Sequence, residues 1–283
     1  MFRNQDKKTI PTGKSKPGQG NFYLNKWFLD FIGNNGEAMI FYAAILQWNR
    51  WKVSYSSWLN FDPASGVSQK SRFRNVQMPD KNNNLITWAD PKFEVSGIWQ
   101  QKSPSVSTRL FESEEGYLDW TSHQPASNVT IKYKERSVEG RGYVEQLILT
   151  TPPWKIPMNE LRWGRFGSSE NQLVWIEIKE RINRHWLWHN GEKIENCIIE
   201  DAQISMPQNN MILKLDKTII LESENKISSI AEKLIPYIPG LNKSIPLKYL
   251  MAKERKCLSN GTLFRHGEIV CNGMAIHEFV DFK

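Results

Sequence analysis

The stretch Val129-Thr130-Ile131-Lys132-Tyr133-Lys134 alternates apolar and polar side chains with a period of two. Successive side chains of an extended chain point to opposite faces, so this run is a half-buried β-strand rather than a piece of helix. The pattern recurs on both sides of it. Upstream, Trp51, Val53, Tyr55, Leu59 and Phe61 share one face, and Lys52, Ser54, Ser56 and Asn60 share the other, with Trp58 as the exception. Downstream, Val174, Ile176 and Ile178 alternate with Trp175, Glu177 and Lys179. Turn formers separate the runs: Gly33-Asn34-Asn35-Gly36, Asp62-Pro63-Ala64-Ser65-Gly66, Asp80-Lys81-Asn82-Asn83-Asn84, Glu115-Gly116, Asn190-Gly191, Asn260-Gly261 and Asn272-Gly273. Only Glu224–Ile235 reads as a helix, with Ile227, Ile230, Ala231 and Leu234 on one face and Pro236 as its stop. Short strands, tight turns and one helix predict an all-β protein of sandwich or barrel type, either one large β unit or two barrels in series. The segment Thr151-Pro152-Pro153-Trp154-Lys155-Ile156-Pro157 is the expected joint, giving units over 21–157 and 158–283. Residues 1–20, rich in charge, Pro and Gly, are expected to form a disordered basic arm.

Composition narrows the function classes. The 283 residues are 40% hydrophobic and 12% aromatic, which excludes a mostly disordered chain. No apolar run approaches the roughly 18 residues of a transmembrane helix. The net charge is +7, and residues 1–20 hold Arg3, Lys7, Lys8, Lys14 and Lys16 against Asp6 alone. A basic tail on a near-neutral body is not the basic stripe that nucleic acid requires, so no nucleic-acid partner is expected. Three cysteines without a CxxC spacing point away from disulfide frameworks and zinc. Met1–Gly20 has no apolar signal core, and a cytoplasmic location is expected. His185 and His189 stand in a strand-like run, about 13 Å apart on one face, too far to share a metal. No nucleophile elbow, phosphate loop or dinucleotide fingerprint is present, and Gly140-Arg141-Gly142 sits in a β context. Asp119-Trp120 matches a propeller blade ending only loosely, with no repeat behind it.

The informative residues are acids on apolar faces. Glu145 shares a face with Tyr143, Leu147 and Leu149, and Glu278 with Met274, Ile276, Val280 and Phe282. Asp30 lies between Phe28 and Ile32. A carboxylate facing a core must be paired, hydrogen-bonded or protonated. The other face at Glu145 (Val144, Gln146, Ile148) is no more polar, so its orientation stays open. Arg162 and Arg165, interleaved with aromatics in Leu161-Arg162-Trp163-Gly164-Arg165-Phe166, suit either a tuning role or an interdomain clamp onto Glu145. The twelve tryptophans suit β-core packing or the wall of a wide apolar cavity for a large hydrophobic ligand.

Three blocks carry a family resemblance. Gly140-Arg141-Gly142-Tyr143-Val144-Glu145-Gln146, then Pro153-Trp154-x-Ile156-Pro157, then Leu161–Phe166 resemble the AttH / carotenoid hydratase (hydroxyneurosporene synthase) lipocalin-like family. Gly273-Met274-Ala275-Ile276-His277-Glu278-Phe279-Val280 resembles its last strand, and Trp27-Phe28-x-Asp30 its opening motif. The resemblance implies two tandem lipocalin-like antiparallel β-barrels and chemistry on apolar molecules, hydration or cyclisation, without a redox cofactor. Where carotenoid hydratases carry an acidic, tryptophan-rich motif, this chain has Phe279-Val280-Asp281-Phe282, which argues against carotenoid hydration itself. The expected function is therefore a cofactor-free, metal-free acid catalyst, a hydratase or cyclase for an isoprenoid- or polyketide-like molecule. Glu145, Glu278 and Asp30 are its candidate acids, and Arg162, Trp163, Arg165, His277 and Tyr143 its candidate binding or orienting residues. The alternative is a non-enzymatic carrier of a hydrophobic ligand.

Overall fold

The alternating runs become strands in the computed structural model, which describes residues 21–222, 238 and 241–282. They fall in chain order into two antiparallel sheets. The first contains β1 (Phe22–Gly33), β2 (Ala38–Trp48), β3 (Trp51–Asp62), β4 (Gly66–Phe73), β5 (Asp80–Asn82), β6 (Leu85–Asp90), β7 (Val95–Gln101), β8 (Val106–Ser113), β9 (Gly116–Tyr133) and β10 (Arg136–Leu149). The second contains β11 (Glu160–Gly167), β12 (Gln172–Lys179), β13 (Arg184–His189), β14 (Glu192–Ile194), β15 (Ile198–Ile199), β16 (Gln203–Met206), β17 (Met211–Glu222), β18 (Lys253–Arg265) and β19 (Glu268–Asp281). The order is β4-β3-β2-β1-β10-β9-β7-β6-β5 in the first sheet, with β8 also paired to β9, and β14-β13-β12-β11-β19-β18-β17-β16-β15 in the second. Both sheets follow one plan: the first strand pairs with the last, β1 with β10 and β11 with β19, and meanders run outward from that pair.

Each sheet curls around its own core. Phe31, Trp58, Ile86, Trp99 and Val144, drawn from both arms of the first strand order, pack in one cluster. Phe166, Trp175, Leu187, Ile204 and Leu213 do the same in the second sheet. The central strands also bury their outer faces. In β1, Trp27, Leu29 and Phe31 enter the sheet's own core, whereas Phe22, Phe28 and Ile32 join a cluster shared with Trp163, Val174, Ile176, Leu258 and Ile276 of the other sheet. This explains why neither face at Glu145 reads as polar. Val144 enters the curled core, and Tyr143 and Leu149 enter the layer between the sheets.

Local chemistry supports this frame. Asn190 (φ 52°) and Gly191 (φ 86°) make the left-handed turn from β13 to β14, as an Asn-Gly pair does. Gly142 lies within β10, where a Cβ would stand 2.2 Å from the Asp30 carbonyl oxygen. Glycine there lets β1, β10 and the Trp99 ring close around the bond that Trp99 Nε1 donates to that carbonyl, 2.7 Å long. The expected basic arm and the helix over Glu224–Ile235 lie outside the described residues. Two short helical turns that the pattern does not announce, α1 (Leu241–Ser244) and α2 (Leu247–Leu250), precede β18. Among the described residues no helix is long and apolar enough to cross a membrane.

Candidate active site between the two sheets

Strands β2, β1 and β10 lie side by side, and their register sets Tyr42, Phe28 and Glu145 in one rung. In the other sheet β18, β19 and β11 set Lys256, Glu278 and Trp163 in a second rung. The two rungs face each other. Trp163 Nε1 donates to Glu145 at 2.9 Å, the Phe28 and Trp163 rings are 4.9 Å apart, and the Lys256 ammonium lies 5.1 Å from the Tyr42 ring centroid. All six side chains line a cavity of about 430 Å³ between the sheets, whose remaining wall is mostly leucine, isoleucine and aromatic rings. That volume suits a small organic molecule.

Glu145 occupies one end. Only 6% of it is exposed. Three neutral donors converge on its Oε2: Trp120 Nε1 at 2.6 Å, the Tyr143 hydroxyl at 2.7 Å and Trp163 Nε1 at 2.9 Å. No hydrogen bond reaches Oε1 from the described residues. Burial pushes the carboxyl up to about 7, against the pull of the Trp120 and Tyr143 hydrogen bonds, the Lys26 charge and the Trp163 hydrogen bond. Three N–H and O–H donors occupy Oε2, which leaves Oε1 as the oxygen that can carry a proton. Trp188 stacks on Trp120 at 4.8 Å and holds that indole in place.

The other end is charged. Lys256, 1% exposed, places its ammonium 2.9 Å from Glu222 Oε2, 3.1 Å from Glu254 Oε1 and 3.2 Å from Glu278 Oε2. Gln69 Nε2 also donates to Glu222, at 2.9 Å. Burial pulls the ammonium down, but the surrounding acidic groups, Glu278 first, more than offset this and hold it well above its ordinary range. Burial, and then the Glu278 charge, push the Glu254 carboxyl up. One carboxyl of this group thus holds its proton more tightly than an exposed glutamate does.

The structure brings together Glu145, Tyr143, Trp163 and Glu278 of the sequence-based candidates, with Tyr143 supporting Glu145 from outside the cavity wall. It places the others elsewhere. Asp30, fully buried, does not line the cavity. It is held by Arg165, whose Nε donates to Oδ2 at 2.8 Å and whose Nη2 donates to Oδ1. An arginine clamp between the two sheets thus exists, but onto Asp30 and not onto Glu145. The register gives the reason: Asp30 pairs with Tyr143, and Tyr143 and Arg165 each lie one same-face step from Glu145 and Trp163, so the clamp is the neighbouring rung. Burial raises the Asp30 carboxyl, while the Arg165 charge and hydrogen bond pull it down. Arg162 has the opposite parity to Trp163, faces away from the cavity, and pairs with Glu160, Glu177 and Asp201. His277 alternates with Glu278 and also points away; its Nε2 lies 2.8 Å from the Ser259 hydroxyl, and burial lowers it to about 4. No group of three His, Cys, Asp or Glu suited to a metal occurs among the described residues.

Sequence reasoning missed Trp120, Lys26, Tyr42, Glu222, Glu254 and Lys256. Lys26 carried a usable signal, because it shares the face of Phe28 and Asp30. Glu254 and Lys256 stand in Lys253-Glu254-Arg255-Lys256, which reads as a solvated charge run.

No family model and no curated protein sequence matches the chain. Solved structures do match. An AttH candidate from Nitrosomonas europaea aligns with a TM-score of 0.54 at 10% identity, covering 96% of this chain and 98% of that one. CghA aligns with a TM-score of 0.51 at 9% identity, covering 92% and 88%. Kievitone hydratase from Nectria haematococca aligns with a TM-score of 0.51 at 10% identity, covering 93% and 89%. The chain has the lipocalin-like, two-sheet fold of these AttH and hydratase structures.

Proposed function

We propose that the chain is a cofactor-free acid catalyst that hydrates or cyclises an alkene in an apolar, isoprenoid- or polyketide-like molecule, with Glu145 as the acid. One observation carries this: a buried carboxyl, raised to about 7, presents its single unbonded oxygen at the wall of an aromatic cavity. The Glu145 Oε1–H proton passes to one alkene carbon as the π pair forms the new C–H bond. The cation left on the adjacent carbon is stabilised by the faces of Trp120, Trp163 and Phe28. A water oxygen, or a second alkene of the same molecule, supplies the electron pair that closes it. The proton released from that water, or from carbon, returns to Glu145. An acid poised near neutral pH is matched to such a step. The fold shared with a hydratase agrees with this chemistry.

The test is conversion of a panel of prenylated phenols and linear polyenes in heavy-oxygen water, followed by mass spectrometry. Hydration adds one solvent oxygen, and cyclisation leaves the mass unchanged. Glu145→Gln is expected to slow conversion by about a hundredfold or more. Full activity in that variant sinks the proposal. Tight binding without conversion by the wild-type protein replaces it with the carrier.

A further inference from the structure

The mechanism above uses one end of the cavity. At the other end the protein leaves donors unpaired. Tyr42 is 8% exposed, its side chain lines the cavity, and its hydroxyl makes no hydrogen bond with the described residues. Lys26 lines the same wall; its ammonium lies 4.8 Å from the Tyr42 ring centroid and makes no ion pair among the described residues. A free donor on the cavity wall is available to a ligand oxygen. Burial pushes the Tyr42 phenol well above its ordinary range, so it stays a donor.

Charge decides which oxygen fits. Lys26 and Lys256 stand with Glu222, Glu254 and Glu278, so this end has no positive excess with which to hold a carboxylate or phosphate. A neutral carbonyl oxygen accepts two hydrogen bonds without adding charge. Distance is fixed by register. Tyr42 and Glu145 flank Phe28 on neighbouring strands, so their backbones are two strand spacings apart, about 10 Å. An apolar linker lying over the Phe28 ring spans that interval.

Resting on the reading of Glu145 as the acid, we propose that the substrate is an unsaturated ketone-type amphiphile and not a pure hydrocarbon. Its neutral carbonyl oxygen accepts from the Tyr42 hydroxyl and the Lys26 ammonium, while its alkene lies several bonds away at Glu145.

The test compares three probes of equal chain length by quenching of tryptophan fluorescence: geranylacetone, the hydrocarbon with a methylene in place of its carbonyl, and the matching carboxylate. The ketone is expected to bind about tenfold tighter than the hydrocarbon and also tighter than the carboxylate. Tyr42→Phe, checked for an unchanged thermal midpoint, is expected to cut the ketone preference to about twofold and to leave hydrocarbon affinity unchanged. Lys26→Met gives an independent second variant with the same expectation. Glu145→Gln is expected to keep the ketone preference while losing conversion, so the two proposals fail separately. Equal binding of ketone and hydrocarbon, binding of neither, a preference for the carboxylate, or a ketone preference that survives both Tyr42→Phe and Lys26→Met overturns the inference.

Discussion

Asp30 and Glu145 are buried carboxylates on neighbouring rungs of the same interface, and they differ in what holds them. Asp30 meets a guanidinium from the opposite sheet, fork to fork. Glu145 meets two indoles and a phenol, all neutral and all on one oxygen. Burial raises both carboxyls, but only Asp30 has a full counter-charge in contact with it. Position on an apolar face therefore did not separate the acid held by a counter-charge from the acid held by neutral donors. The charge of the partner does, and so does access to the cavity, which Glu145 has and Asp30 lacks.

The largest effect should come from breaking the charged pair. Asp30→Asn leaves the Arg165 guanidinium, 4% exposed, without its counter-charge. The expected loss is about 3–5 kcal/mol, read from urea unfolding midpoints. Replacing both partners, Asp30→Leu with Arg165→Met, should recover most of it, because a buried pair often contributes little beyond an apolar match. A loss below about 1 kcal/mol in Asp30→Asn would mean that the pair does not clamp the sheets.

The second test exploits the opposite case. An ordinary glutamate releases its proton near 4.5, and Glu145 holds its proton to about 7 in the folded chain. Between those values the folded state binds a proton that the unfolded state has lost, so stability falls as pH rises through the window. Glu145→Gln removes this term. The variant should gain stability relative to wild type by about 3 kcal/mol between pH 4 and pH 8, with the gain complete just above pH 7. Paired denaturation curves at several pH values measure it. A pH-independent difference would place the Glu145 carboxyl at its ordinary value and end its candidacy as an acid.

How far the sequence carries this contrast can be stated residue by residue. Alternation in Trp51–Phe61 and Val174–Lys179 was legible because strands point successive side chains to opposite faces. The lone acids on apolar faces were legible for the same reason. Partner identity was not. Arg165 reaches Asp30, 135 residues away, through the stacking of two sheets, which no local spacing encodes. Trp120 was legible only as one of twelve tryptophans suited to a core or a cavity wall, and the β9–β10 pairing is what brings it to Glu145. Lys256 looked solvent-facing because charges surround it in sequence; in space those on its own face are the carboxylates that bury it.

The smallest effect sharpens the comparison most. Each neutral donor at Glu145 Oε2 favours the ionised carboxylate, so removing one should raise the carboxyl further. Trp163→Phe keeps an aromatic ring against Phe28 and removes the N–H at 2.9 Å together with one ring of the indole. One such bond contributes on the order of 1 kcal/mol, somewhat less than one pH unit. The alkaline limb of the activity profile, where the acid loses its proton, should therefore move to higher pH by about half a unit to one unit. Trp120→Phe should do the same through the 2.6 Å bond. Arg162→Ala, on the far face of β11, should leave the limb where it is. A limb that shifts downward in the tryptophan variants, or follows Arg162 instead, would mean that Oε2 is not the bonded oxygen and that Glu145 owes its acidity to charge after all.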